Sequence, residues 1–167
     1  MEPRSFASIR NEGMSACLRG LEMKKVSLSK LTNDELVARY VEIGAAQAEA
    51  LDNFDTARFN RLFEHEVAVV NELRLRPGDQ RRLLISLFDH PNRQVRLNAA
   101  ESAYMLDRAN AHAVLQEIAA SRWQPQAGHA GMSHSGIERG DSLILKDFWI
   151  PVDKKERAKA VREALAK

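Results

Sequence analysis

Apolar positions along this chain recur at helical spacing, and no long stretch alternates as a strand would. Leu36, Tyr40, Ile43 and Gln47, widened by Val37, Val41, Gly44, Ala48 and Leu51, fall on one face at i, i+3, i+4 and i+7. Just ahead, Thr32-Asn33-Asp34-Glu35 has the form of a capping box, in which the Thr32 hydroxyl accepts from the Glu35 amide while the Glu35 carboxylate reaches back. This predicts a first helix ending near Asp52. Asp55 can cap a second, with Phe59, Leu62, Phe63, Val67, Val70 and Leu73 facing inward. It should stop at Arg76, where the following Pro77 disfavours helical geometry and Gly78 loosens the chain. Two amphipathic helices joined so closely are expected to form an antiparallel hairpin.

Further along, Asp79 can cap a short third helix, apolar at Leu83, Leu84, Leu87 and Phe88, and Asp89 to Asn92 form a turn. A fourth helix is predicted from Arg93 to about Leu106 with Val95, Ala99, Ala103 and Leu106 inward. Asn110 is the candidate cap of a fifth, which buries Ala111, Val114, Leu115 and Ile118. After Ser121 the period is lost in "RWQPQAGHAGMSHSGIERGDS", so a long loop is expected over 123–142, and such loops are usually functional or disordered. "LILKDFWIP" then suggests one extended apolar segment, Leu143 to Pro151. Asp153 opens a last, basic helix with Ala158, Val161 and Leu165 as a narrow apolar stripe.

Residues 1–26 show no sustained period and are expected to form a flexible extension, either adventitious or an interaction arm. The predicted organisation is therefore 1–26 extension, 27–122 helical domain, and 123–167 loop, extended segment and basic helix. Composition supports helix, since 44% of residues are hydrophobic and 29% charged, with only 8 Gly and 5 Pro. The formal net charge of +2 argues for no strongly electrostatic partner across the whole molecule. One cysteine, Cys17, rules out an internal disulfide framework, and no apolar run approaches the roughly 20 residues that span a bilayer. The expected setting is cytoplasmic, with no membrane contact.

Two stretches, "LLISLFDHPNRQVRLNAAESAYMLD" and "NAHAVLQEIA", together resemble a HEAT-like repeat: a helix ending in an apolar pair, an acidic turn with proline, Val-Arg at the next helix, then small alanines. Val95 would plug the hairpin core, and Ala99 and Ala103 would let two helices approach closely. Arg96 would reach back to Asp89, although their spacing of seven residues is one longer than usual in such repeats, which leaves Asn92 as the alternative cap. More widely, "DELVARYVEIGAAQAEAL", "ARFNRLF", "LRLRPGDQRRLL", "HPNRQVRLNAA" and "EIAASRWQPQAGHAGM", within residues 31–132, resemble a bacterial family of domains of unknown function with HEAT or armadillo-like architecture. The resemblance and the periodicity imply an all-α fold: a short right-handed helical-repeat superhelix of about five helices, followed by the extended segment and terminal helix. The family implies no activity, cofactor or metal.

Candidate chemistry is sparse. His65-Glu66 begins a zinc-peptidase pattern, but Val69 stands where the second histidine belongs. "GMSHSG" misses the nucleophile elbow G-x-S-x-G because Ser135 occupies the position of the second glycine. His129 and His134, around Met132, could offer two metal ligands from one loop; the weightier reading is a polar loop, and no metal is expected. Arg74, Arg76, Arg81, Arg82, Arg93 and Arg96 gather near the corners of the second, third and fourth helices. They could grip phosphate, but Glu72, Asp79 and Asp89 stand among them, which favours a self-paired corner. Trp123 with Gln124 and Gln126 either caps the last helix or anchors a partner.

The expectation that follows is a non-enzymatic, protein-binding or regulatory helical module, toxin neutralisation being one concrete form. Trp123, Gln126, Arg81, Arg82 and Arg93 are its candidate contacts. The alternative is nucleic-acid binding through the arginine corner and the basic terminal helix; a third reading is an enzyme with its site in 123–136. The apolar segment 143–150 should pack back on the core or join two copies as a homodimer.

Overall fold

The computed structural model of the protein describes residues 27–147 and 149–166. The chain divides into two units. The first, ending at Lys30, contributes a single 3-10 turn, Leu28–Lys30, to the described residues; the expected extension over 1–26, with Cys17, lies outside them. The second begins at Leu31 and contains α1 (Asn33–Asp52), α2 (Thr56–Leu75), α3 (Arg93–Ser102), α4 (Arg108–Ala120), α5 (Gln126–Arg139) and α6 (Lys154–Leu165). Two 3-10 helices, Gln80–Leu87 and Leu143–Lys146, complete it, and no strand occurs among the described residues. The all-α expectation holds, and no described helix is long and apolar enough to cross a membrane.

The capping box forms as predicted: Thr32 Oγ1 accepts from the Glu35 amide at 3.2 Å, and the Thr32 amide donates to Glu35 Oε2 at 2.7 Å. Asp55 caps α2 through the Arg58 amide, and α1 and α2 pack against each other as a hairpin. Leu36, Tyr40, Ile43 and Ala50 from α1 meet Val67, Val69 and Leu73 from α2 in a core that α3 closes. Of the inward face predicted for α2, only Val67 and Leu73 are buried, while Phe59, Leu62, Phe63 and Val70 are half-buried.

Between α2 and α3 the predicted third helix is a 3-10 helix. Arg81, Leu84 and Leu87 are spaced by three and all buried, the period that three residues per turn places along one edge. Asn92, the alternative cap, is the actual one: its Oδ1 accepts from the amides of Gln94 and Val95. Arg96 does not reach Asp89. It donates to the Phe88 carbonyl at 2.7 Å and to both carboxylate oxygens of Glu117, which ties the turn to α4. The fourth helix ends at Ser102 rather than near Leu106, and Leu106 is 39% exposed. Asp107, not Asn110, caps α4, because its carboxylate accepts from the Asn110 amide.

The largest departure is the expected loop over 123–142, most of which is α5. Its buried positions are Gln126 and the small residues Ala127, Ala130 and Gly136, and the helix packs along α4. Glycine within a helix costs about 1 kcal/mol relative to alanine, and packing along α4 offsets that cost; a Cβ at Gly131 would meet Ala119 Cβ at 4.0 Å, an ordinary contact. Gly140, with φ of +78°, ends the helix in the left-handed conformation that glycine takes without strain. Helix α5 continues the packing of α4.

The segment 143–151 is not extended as predicted. It starts as the 3-10 helix Leu143–Lys146, and Leu143, Ile144, Leu145 and Ile150 are half-buried, while Trp149 is 43% exposed. Asp153 caps α6 as expected, but the stripe is shifted: Ala158 and Leu165 are exposed, and Arg157, Ala160, Val161 and Ala164 are the half-buried positions.

Candidate functional site

The interior holds polar side chains that helical periodicity places inside without announcing their partners. Gln126 Nε2 on α5 donates to Gln94 Oε1 at 3.2 Å, and Gln94 Nε2 donates to Asn98 Oδ1 at 2.7 Å. Asn98 Nδ2 in turn donates to Gln47 Oε1 at 2.6 Å, and Gln47 Nε2 to Glu66 Oε2 at 2.8 Å. Each amide passes its dipole in the same direction, so a relay crossing α5, α3, α1 and α2 ends on one carboxyl. Tyr40 Oη lies 3.5 Å from the other oxygen of that carboxyl and 3.1 Å from Ser102 Oγ.

Glu66 is buried, and burial raises its pKa to about 7 against the opposing hydrogen bond from Gln47, with the nearby charge of Glu101 adding to the rise. The same burial, with Glu66 as neighbour, pushes the Tyr40 phenol well above its ordinary range. Glu101 itself accepts from Ser133 Oγ at 2.5 Å and lies 3.3 Å from His129 Nε2, an arrangement that raises the His129 pKa. Serine, histidine and glutamate thus meet, but the acid stands between the other two. In a hydrolytic triad the imidazole must stand between nucleophile and acid, so this trio lacks the connectivity of acyl-transfer chemistry.

Glu66 and Glu101 border a cavity of about 310 Å³ between α2, α3 and the C-terminal segment. Phe63, Val67, Val70, Ile144, Ile150 and Val161 give it mostly apolar walls. Its cover is tied down by polar side chains: Asn71 Nδ2 donates to the Ile150 carbonyl at 2.9 Å, and Arg74 Nη2 to the Asp147 carbonyl at 2.6 Å. Arg81, only 5% exposed at its side chain, bridges Asp79 at 2.6 Å and Asp147 at 2.8 Å.

The sequence-predicted contacts therefore separate. Arg81 and Gln126 are buried structural residues and cannot face a partner. The arginine corner is largely spoken for, since Arg74 pairs with Asp147, Arg76 with Glu72 and Asn33, Arg81 with Asp79 and Asp147, and Arg96 with Glu117. Arg82 and Arg93 are exposed. Trp123 does not cap the core: it is 61% exposed, with the Arg93 guanidinium 4.5 Å from its ring centroid. His129 and His134 do not converge, because His129 turns to Glu101 and His134 to His112. Glu66 was visible in the sequence only as half of a failed zinc motif; its spacing with Val69 and Leu73 was the available sign that it lies inward.

Comparison with known proteins agrees with this fold. No curated protein matches the chain. Among solved structures, the crystal structure of the protein RPA1889 from Rhodopseudomonas palustris CGA009 is similar, with a TM-score of 0.68 and 40% sequence identity over 71% of this chain and 98% of that one. Residues 34–138, from the first turn of α1 to the end of α5, match the family described as a domain of unknown function, DUF2019. Both the helical core and the helix α5 that sequence patterning missed fall within that match, and the chain belongs to the DUF2019 family.

Proposed function

We propose that the chain is a non-enzymatic binding module that recognises another protein through the face carrying Arg93 and Trp123. The observation that carries this reading is the stacked pair itself. A tryptophan left 61% exposed keeps a large apolar area for a partner, and the Arg93 guanidinium 4.5 Å from its ring centroid makes a cation–π contact with it. Tryptophan and arginine are the residue types in which binding energy concentrates. Arg122 is exposed beside Trp123 in the chain, so the chemistry fits a segment that offers an apolar side chain flanked by a carboxylate. Regulation of a bound partner, toxin neutralisation among the forms it takes, is the role that suits such a module. Pairing of Arg74, Arg76, Arg81 and Arg96 within the protein weighs against a phosphate-gripping corner.

The test is crosslinking and capture in the native host with wild type, Trp123→Ala, Arg93→Ala and, as a control at a distant exposed aromatic, Phe54→Ala. A partner retained by wild type and Phe54→Ala and lost from both other variants supports the reading. A partner set unchanged by Trp123→Ala and Arg93→Ala overturns it.

A second reading rests on the cavity. Apolar walls around the Glu66 carboxyl, whose pKa is about 7, suit a small apolar molecule with a single hydrogen-bonding group. Enhanced fluorescence of an apolar dye that Val70→Trp abolishes supports it, and enhancement that survives the filling counts against it.

A further inference from the structure

On the far side of α5 from the carboxyl cluster, His134 and Glu138 stand one turn apart and face His112 from α4. Their ligand atoms, one imidazole nitrogen from each histidine and one carboxylate oxygen, lie within 4.8 Å of one another. We propose that His112, His134 and Glu138 form a binding site for a divalent transition metal of the zinc class, with one coordination position left open.

Four observations support this. Residues i and i+4 of a helix share a face, so α5 delivers two ligands from one side. Tetrahedral ligands at about 2.0–2.1 Å from a metal stand roughly 3.4 Å apart, and His112 Nε2 and Glu138 Oε1 are separated by 3.4 Å. On its other side His112 Nδ1 lies 3.3 Å from Tyr104 Oη. With Tyr104 Oη as the acceptor, the proton sits on Nδ1 and the Nε2 lone pair is left to a cation, the outer-shell arrangement typical of metal-bound histidine. Lastly, His134 Nε2 is shielded from solvent and has no hydrogen-bond partner among the described residues. An ordinary ion pair between His112 and Glu138 leaves that nitrogen unexplained, while a shared cation gives it a partner.

Donor chemistry narrows the ion. Two imidazoles and one carboxylate suit Zn²⁺ and its neighbours, whereas Mg²⁺ and Ca²⁺ need oxygen-rich shells. Three protein ligands do not complete a tetrahedron, and Glu138, 61% exposed at its side chain, leaves the fourth position toward solvent for water or an incoming ligand. The two histidine rings already lie with centroids 4.7 Å apart and planes tilted by 39°, so only side-chain adjustment is needed to converge on one ion.

The experiment titrates Zn²⁺ into the chelator-stripped full chain by calorimetry, with histidine ¹⁵N NMR on the same sample. One equivalent should bind, shifting the ring nitrogens of His112 and His134 and leaving His129 and His65 in place, and Mg²⁺ at equal concentration should produce neither effect. His134→Ala and His112→Ala should each weaken Zn²⁺ binding at least tenfold, Glu138→Gln should weaken it less, and His129→Ala should leave it unchanged. A wild-type spectrum in which the His112 and His134 nitrogens do not move overturns the site without reliance on any variant. Binding that persists in the His112→Ala/His134→Ala chain, or that Mg²⁺ reproduces, also overturns it.

Discussion

Gln47 donates to Glu66 across the α1–α2 interface at 2.8 Å, and the two side chains are almost completely withdrawn from water. The bond explains why glutamate is tolerated there: a carboxyl in a helical core must find donors, and an amide one helix away supplies one. It also sets a pH dependence. A carboxyl whose folded pKa is about 7, against an ordinary 4.5, binds a proton more tightly in the native state than in the unfolded chain. Between those pH values the native state holds the extra proton, so stability falls as pH rises through the window.

Glu66→Gln should remove that slope. The amide keeps an acceptor for Gln47 and cannot ionise, so at pH 8 the variant should be more stable than wild type by about 3 kcal/mol. Near pH 4.5 the two chains should be nearly equal. Urea unfolding at a series of pH values measures this; parallel curves for the two chains would exclude the buried carboxyl as the source.

How far the sequence foretold this interior depends on which signal each residue carries. Thr32, Asp55, Asn92 and Asp153 cap helices as their local patterns indicate, because capping depends on only three or four neighbouring residues. Helix α5 escaped because Gly128, Gly131 and Gly136 look like punctuation, although Ala127, Ala130 and Ile137 keep a helical spacing beneath them. What decides its state is packing against α4, and a local pattern does not contain the neighbouring helix. Gln126 and Arg81 read as contact residues in the sequence because a polar side chain looks exposed until its buried partners, Gln94 in one case and Asp79 with Asp147 in the other, are known. Trp123 and Arg93 were candidates from the start, but their stacking joins two residues that nothing local relates.

Gly44 shows the same dependence on a neighbour. A Cβ built there would stand 2.8 Å from Val95 Cγ2 and 3.2 Å from Val95 Cα, so α1 and α3 touch where glycine removes a side chain. Alanine gains about 1 kcal/mol in helix propensity and costs about 1–3 kcal/mol in overpacking. Gly44→Ala should therefore be net destabilising by about 1 kcal/mol, with overpacking the larger effect. Val95→Ala removes the nearer obstruction, so the double variant should be more stable than the sum of the two single effects. Strict additivity in thermal melts would show that the contact is relieved some other way.

Arg81 anchors the C-terminal segment. Its guanidinium joins Asp79 at the head of the 3-10 helix to Asp147 at the end of Leu143–Lys146, and it donates to the Ser102 carbonyl at 3.3 Å. Truncation leaves these acceptors without their cation, and breaking a buried pair costs about 3–5 kcal/mol; with both aspartates partly solvated, about 3 kcal/mol is the expected loss for Arg81→Ala. The loss should be local first. Limited trypsin digestion of the variant should cleave around Lys146 and Lys154 well before the core helices, whereas simultaneous digestion of all regions would mean that the segment is not separately held.

His129 tests the carboxyl cluster from its outer edge. The Glu101 carboxylate 3.3 Å from Nε2 favours the imidazolium and lifts its pKa above the ordinary 6.5, and Glu66 adds to the lift when it is ionised. A histidine with a raised folded pKa contributes stability that is fully present below its unfolded pKa and is lost as pH rises through the folded one. Nearly half of this side chain is exposed, so solvent screening keeps the contribution small. The direct observable is the ring titration. In wild type the His129 midpoint should lie above 6.5, and in Glu101→Gln it should fall back toward that value as the cation loses its partner. Because the charge of Glu101 also raises Glu66, the same substitution should lower the Glu66 midpoint, visible in side-chain carboxyl ¹³C shifts. Movement of both midpoints would show that the charge of Glu101 reaches the buried carboxyl on α2 as well as the imidazole on α5, and movement of His129 alone would separate the surface pair from the buried relay.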